Sequence, residues 1–164
     1  MKNIIIIGMP GCGKTTIGRV VSERLHMNFT DTDDLTEKIA GKKIPEIFSE
    51  EGEDRFREYE TEALKEALKK KNTVISTGGG IVVKDRNIDI LKEEENVVFI
   101  DRDVEDILST LDSDSRPLLK DNRDRIYRLY EERYEKYKKA AGITVKNDRD
   151  LSDAIKEIID RVKR

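Results

Sequence analysis

Residues 8–15 read Gly8-Met9-Pro10-Gly11-Cys12-Gly13-Lys14-Thr15, a complete G-x-x-x-x-G-K-T loop set directly behind the apolar run Ile4–Ile7. The order strand, glycine loop, helix is the context that this motif requires. A run of four β-branched residues suits a strand buried on both faces of a parallel sheet, and Ile17, Val20, Val21 and Leu25 then recur at helical spacing. Glycines at 8, 11 and 13 let the backbone curl so that successive N–H groups point at phosphate oxygens, and the following helix adds its positive end. Lys14 is placed to reach the β- and γ-phosphates, and the Thr15 hydroxyl to ligate Mg²⁺. The loop therefore predicts binding of a nucleoside triphosphate with magnesium.

A chain of 164 residues has the length of one ordinary domain, enough to cover both faces of a sheet. Short apolar runs at 4–7, 27–30, 74–76, 97–100 and 143–145 alternate with amphipathic stretches near 15–25, 34–40, 53–71, 84–92, 103–110, 124–139 and 151–163. This alternation predicts an α/β fold with a parallel sheet built of βαβ units. Charged residues make up 41% of the chain but the net charge is only -3, so no basic surface of the kind nucleic acid demands is expected. One cysteine excludes an internal disulfide, no apolar stretch approaches the ~20 residues of a membrane span, and no leader of secretory type is evident. A cytosolic chain that needs neither membrane nor nucleic acid is the expectation, and no obvious large exposed apolar surface argues for more than a monomer.

Beyond the loop, several groups of residues suggest chemistry. Asp31-Thr32-Asp33-Asp34 follows the second strand, where the carboxyl ends of strands line the ligand crevice of an open α/β sheet. If the chain stays extended, Asp31 and Asp33 share a face, one holding a magnesium water and the other accepting a proton from an attacking hydroxyl. Asp34, with Glu37 three residues on, reads as the N-cap of the next helix. Arg57 lies in a highly charged helical stretch and periodicity alone assigns it to solvent, although its neighbour Phe56 faces the core. Gly78-Gly79-Gly80 closes the third strand, where glycines bury nothing and make sense if a ligand approaches the backbone and takes its N–H groups. Residues 112–123 are polar and interrupted by Pro117, which suits either a lid or an untidy connection. Arg133 stands four residues before Tyr137 and three after Tyr130, so packing of tyrosine on a guanidinium accounts for it without a ligand.

Taken together, the loop 8–15, Asp31-Thr32-Asp33, Gly52-Glu53 with Phe56-Arg57 and Glu60, Gly78-Gly79-Gly80, Arg116-Pro117-Leu118-Leu119 and Arg133 resemble shikimate kinase, in order and over nearly the whole chain. The resemblance implies a three-layer α/β/α P-loop kinase fold, related to the nucleoside monophosphate kinases, over 1–164. Its five-stranded parallel sheet would run in order 2-3-1-4-5, with a mobile lid near 112–123 and a substrate-binding helical segment near 33–61. It implies transfer of the ATP γ-phosphate to the 3-hydroxyl of shikimate, on the route to chorismate and the aromatic amino acids. Lys14, Asp33 and Arg116 would then be catalytic. Gly11, Cys12, Gly13, Lys14, Thr15, Thr16, Arg116 and Arg149 would hold the nucleotide, and Asp33, Arg57, Gly78, Gly79, Gly80 and Arg133 the shikimate. Thr15 and Asp31 would hold Mg²⁺, and the stretch 147–150 would flank adenine. Many family members carry arginine near the end of the helix before the lid, where this chain has Ser109-Thr110-Leu111, which leaves open whether Arg123 or Arg149 covers the adenine or its phosphates. Another small-metabolite kinase of the same fold, such as a gluconate kinase, is the alternative.

Overall fold

The computed structural model describes residues 1–114, 120–148 and 150–164. Five parallel strands, β1 (Ile4–Ile7), β2 (Asn28–Asp31), β3 (Thr73–Ser76), β4 (Val97–Asp101) and β5 (Ile143–Lys146), lie in the order β2-β3-β1-β4-β5. This is the expected sheet. Between them run α1 (Lys14–Arg24), α2 (Thr32–Ala40), α3 (Ile44–Leu68), α4 (Asp85–Lys92), α5 (Val104–Asp114), α6 (Lys120–Ala140) and, after the last strand, α7 (Leu151–Arg161).

The four isoleucines of β1 are fully buried, and their alternation divides them between the two faces of the sheet. Ile4 and Ile6 pack with Ile17 and Val21 of α1 and with Ala154, Ile155 and Ile158 of α7. Ile5 and Ile7 pack with Leu64 and Ala67 of α3, Leu91 of α4 and Tyr137 of α6. A strand covered on both sides needs no polar positions, which is why its sequence is a continuous apolar run. β1 pairs with β3 on one side and β4 on the other, so the strand order reverses at its carboxyl end and a crevice opens there.

Several expected boundaries move. The chain turns helical at Thr32, so Asp31 and Asp33 are not alternate positions of one strand. Asp31 itself is the N-cap of α2, its Oδ1 accepting the Asp33 N–H at 2.8 Å, and Asp34 falls in the first turn. The Glu37 carboxylate, expected to close a capping box, instead accepts the Ile44 N–H at 2.8 Å and ties α2 to α3. α3 starts at Ile44, well ahead of the expected 53, and changes direction at Gly52, whose φ of 85° is left-handed. Its first part and Phe56 form a separate small core with Ile47 and Tyr59. The segment expected as a lid over 112–123 is helical at both ends, since α5 reaches Asp114 and α6 begins at Lys120. Residues 115–119 lie outside the described residues. No helix among the described residues is long and apolar enough to cross a membrane.

Because Ile6 is fully buried in the central strand, Ile6→Ala leaves a cavity with little freedom to collapse. It should cost about 2–5 kcal/mol, read as a lower midpoint with an unchanged slope in chemical denaturation.

Candidate active site

The glycine loop joins β1 to α1 through two left-handed residues, Gly11 at φ 80° and Gly13 at φ 100°, the latter being the N-cap of α1. A side chain at either position would be strained. Lys14, only 8% exposed, folds back across the loop so that Nζ donates to the carbonyls of Gly8 at 2.8 Å and Met9 at 2.9 Å. Thr15 and Thr16 follow on the first turn of α1, with Thr16 on the wall of a cavity beside the loop. Cys12 is fully buried, its N–H donates to the Met9 carbonyl at 3.2 Å, and burial pushes its thiol pKa up. Its side chain is therefore packing, not a reactive thiol. The Asn147 amide donates to the Cys12 carbonyl at 3.0 Å and fastens the loop to the end of β5.

On the other side of β1 the glycine run closes the site by contact. None of Gly78, Gly79 and Gly80 has positive φ, so conformational freedom is not what these positions require. A Cβ on Gly78 would lie 2.6 Å from Asp33 Oδ1, and one on Gly79 would lie 2.6 Å from Pro10 Cδ in the phosphate loop. One on Gly80 would collide with the Arg57 guanidinium. The close approach expected of a ligand is made here by the site's own residues, which require the absence of a Cβ in their own right. Arg57 is buried, against the solvent assignment, because it lies on the same stripe of α3 as the buried Glu60, Thr61 and Leu64. Its Nη1 donates to Glu60 at 2.9 Å and to the Gly80 carbonyl at 3.1 Å, and Nη2 meets Glu53 at 3.4 Å. Its Nε is buried with no hydrogen-bond partner among the described residues. From α6, the fully buried Tyr137 donates to the Gly79 carbonyl at 2.6 Å and accepts from Arg133. Arg133 thus engages the tyrosine through its hydroxyl, and the ring stacks instead on Phe99.

The electrostatics follow from burial. Desolvation raises the Asp33 pKa, the neighbouring Asp31 charge raises it further, and Lys14 opposes both. Desolvation likewise raises Asp31, against the hydrogen bond from the Asp33 N–H. Glu60, 2% exposed, is raised by burial in spite of Arg57. Lys14 thus faces two carboxylates poised above the ordinary carboxylate range, with the Arg57 and Glu60 pair behind them.

These donors suit Mg²⁺, a hard cation held by one or two carboxylates together with substrate phosphates. Asp31 pairs in register with Ser76, and both Ser76 Oγ and Thr32 Oγ1 are buried with no partner among the described residues. Asp31 and Ser76 therefore stand side by side at the ends of β2 and β3, with Thr32 the next residue on. Among the described residues no cluster of three or more His, Cys, Asp or Glu side chains forms a closed metal cage.

The structure thus gathers Lys14, Asp31, Asp33, Arg57, the glycine run and Arg133 at one crevice. Arg116 and Arg149 lie outside the described residues. Sequence reading missed Arg102, which stands one residue past β4 and donates from Nη1 to the Gly11 carbonyl at 2.8 Å and from Nη2 to Thr110 Oγ1 at 2.7 Å. Its position at a strand's carboxyl end was the available signal. It also missed Asn87 and Thr61, a buried pair joined at 2.7 Å, with the Asn87 amide donating to the Ile81 carbonyl at 3.0 Å just beyond the glycines.

A phosphate loop at the switch point of a 2-3-1-4-5 parallel sheet, with a second polar site across β1, defines a P-loop kinase fold. The shikimate kinase family model matches residues 10–163. A shikimate kinase of Clostridium beijerinckii is 50% identical over 96% of this chain and 94% of its own length. The shikimate kinase of Acinetobacter baumannii, solved in complex with shikimate, superposes with a TM-score of 0.88 at 34% identity, covering 97% of this chain and 91% of the other. A gluconokinase of Sinorhizobium meliloti, at 17% identity and a TM-score of 0.66, shares the fold alone. The chain belongs to the shikimate kinase family.

Glu60 gives a stability test of this geometry. Glu60→Ala leaves the Arg57 guanidinium buried without its shortest ionic partner, and should cost about 3–5 kcal/mol in denaturant unfolding. Glu60→Gln, which retains an acceptor, should lose distinctly less.

Proposed function

We propose that the chain transfers the γ-phosphate of ATP to the 3-hydroxyl of shikimate, giving shikimate 3-phosphate and ADP, as a monomer in the cytoplasm and with Mg²⁺. The observation that carries this reading is the placement of a buried arginine, a carboxylate of raised pKa and a glycine run directly across from the phosphate loop. A carboxylated polyol needs both kinds of partner, and a planar guanidinium suits its carboxylate by donating two hydrogen bonds at once. Arg57 offers its unpartnered Nε, and Arg133 supplies a second cation from α6.

In this reading the shikimate hydroxyl attacks the γ-phosphorus, its proton passes to Asp33, and the bond to the β–γ bridging oxygen breaks. Burial makes Asp33 a stronger base than a free carboxylate. Lys14 would give up its loop carbonyls to neutralise charge on the phosphoryl group in flight. Magnesium, held from Thr15 and through water from Asp31, would offset charge on the β- and γ-oxygens. Gly78 leaves room for Asp33, Gly79 for Pro10 and Gly80 for Arg57, and the acceptor would lie against this stretch of backbone. Arg116 is assigned to the transferring phosphoryl and Arg149 to the nucleotide by resemblance, and Gly11, Gly13 and Thr16, which line the cavity beside the loop, would border the nucleotide.

ADP release measured over shikimate, gluconate and nucleoside monophosphates tests the reading. Turnover is expected with shikimate only, and activity on gluconate without activity on shikimate would sink it. Arg57→Ala should weaken shikimate binding by about 1.5–3 kcal/mol, seen in KM for shikimate with KM for ATP little changed.

The pH dependence has a definite sign. Activity should fall as pH drops through the raised Asp33 pKa, above the usual carboxylate range, and Asp33→Asn should leave a low kcat without that acidic limb. Folding penalises the ionised form of a group whose folded pKa is raised, so stability is lost as pH rises through that value. Asp33→Asn should therefore melt higher than the parent at neutral pH, the gap closing below the ordinary carboxylate pKa. An unchanged kcat would remove Asp33 from the role of base.

A further inference from the structure

On the side of β1 away from Asp33 and Arg57, a cavity of about 520 Å³ opens against the outer face of the phosphate loop. Its wall includes Gly11, Gly13 and Thr16 of the loop and α1, Arg102, Asp106 and Thr110 around α5, and Asn147, Asp148 and Leu151 after β5. The size falls in the range of small-molecule sites. A triphosphate whose terminal phosphate faces the acceptor crevice has one way to run, along the loop and out toward this cavity. Two carboxylates on the wall, Asp106 and Asp148, make it a poor place for phosphate and a good one for an uncharged group carrying N–H and O–H donors.

Arg102 is the cation on this wall. Its two terminal nitrogens are committed, at 2.8 Å to the Gly11 carbonyl and at 2.7 Å to Thr110 Oγ1, and Thr110 in turn donates to the Asp106 carbonyl at 3.2 Å. Two edge contacts fix the plane of a guanidinium between the phosphate loop and α5. A guanidinium pinned by two of its five N–H donors keeps its flat face as well as three donors, and on a wall that carries Asp106 and Asp148 that face suits an aromatic ring better than the donors suit a tetrahedral anion. We infer that Arg102 is a nucleotide-binding residue of this chain, stacking on the nucleobase rather than pairing with phosphate. The inference rests on the reading that the loop holds the nucleotide's phosphates.

Equilibrium binding of two probes, ADP and inorganic tripolyphosphate, to the parent, Arg102→Met and Arg102→Lys separates the possibilities. Arg102→Met keeps an apolar stem of similar length and removes the plane, and Arg102→Lys keeps the charge without the plane. Both should weaken ADP by about 3- to 20-fold, the range of a partly desolvated cation–π contact, while tripolyphosphate changes less than about 2-fold and KM for shikimate stays constant. Equal losses for both probes would make Arg102 a clamp of the loop or a phosphate ligand, and unchanged ADP affinity would remove it from the site; either overturns the inference. Failure of the parent to bind tripolyphosphate would instead overturn the phosphate-loop reading. Should Arg102→Met melt well below the parent, Arg102→Lys carries the comparison.

Discussion

Three separate pieces of the crevice are set by one stretch of backbone without side chains. Gly78 abuts the Asp33 carboxylate, Gly79 abuts the ring of Pro10 in the phosphate loop, and Gly80 abuts the Arg57 guanidinium. The Gly79 and Gly80 carbonyls then accept from Tyr137 and Arg57. A Cβ at any of these places would push one part of the site off the others, because Pro10 is rigid and Arg57 is buried in a fixed hydrogen-bonded position. The ordinary φ angles matter to this conclusion. Glycine is needed here for absent volume, whereas in the phosphate loop Gly11 and Gly13 are needed for backbone conformation.

Holding Arg57 against that backbone requires burying charge. Arg57 and Glu60 are 6% and 2% exposed and 2.9 Å apart, and such a pair gives little net stability once desolvation is counted. Its value lies in fixing where the guanidinium points. Thr61, the next residue on α3, accepts from Arg86 at 3.0 Å and bonds Asn87, which reaches the Ile81 carbonyl. Helix α3, helix α4 and the turn after the glycines are therefore one hydrogen-bonded unit. The three carboxylates of raised pKa and the unpartnered Arg57 Nε show the same trade: polar groups are held away from water in positions that cost the folded state.

The fold was legible because its signals are local. An isoleucine run followed by G-x-x-x-x-G-K-T fixes β1, the loop and α1, and alternation of apolar runs with helical stretches gives the parallel sheet. What the sequence concealed depends on turns. Nothing in Glu51-Gly52-Glu53 announces the left-handed residue at φ 85° that breaks α3 ahead of Arg57. The residue pattern assigns the capping role to Asp34, and it falls to Asp31 because the chain turns helical earlier, at Thr32. Asp33 and Gly78 come together through the pairing of β2 and β3, and Arg57 meets Gly80 where α3 lies against the turn after β3. Family resemblance supplied the grouping of these residues, and the contacts explain why the grouping works.

Strand order then divides the chemistry. β1 is flanked by β3 on one side and β4 on the other, so the two halves of the crevice are built from different segments meeting at one loop. The half beyond β3 carries Asp33, Arg57 and the glycines. The half beyond β4 carries Arg102, Asn147 and the cavity along α5. Pro10 belongs to both, lying in the loop that would hold phosphates and against the backbone of Gly79. Two ligands bound in these halves would face each other across Lys14, and neither half can shift against the other without moving that contact. A rigid seam between a donor site and an acceptor site is what an in-line transfer demands of a scaffold, since the geometry of attack is worth more than any single added hydrogen bond.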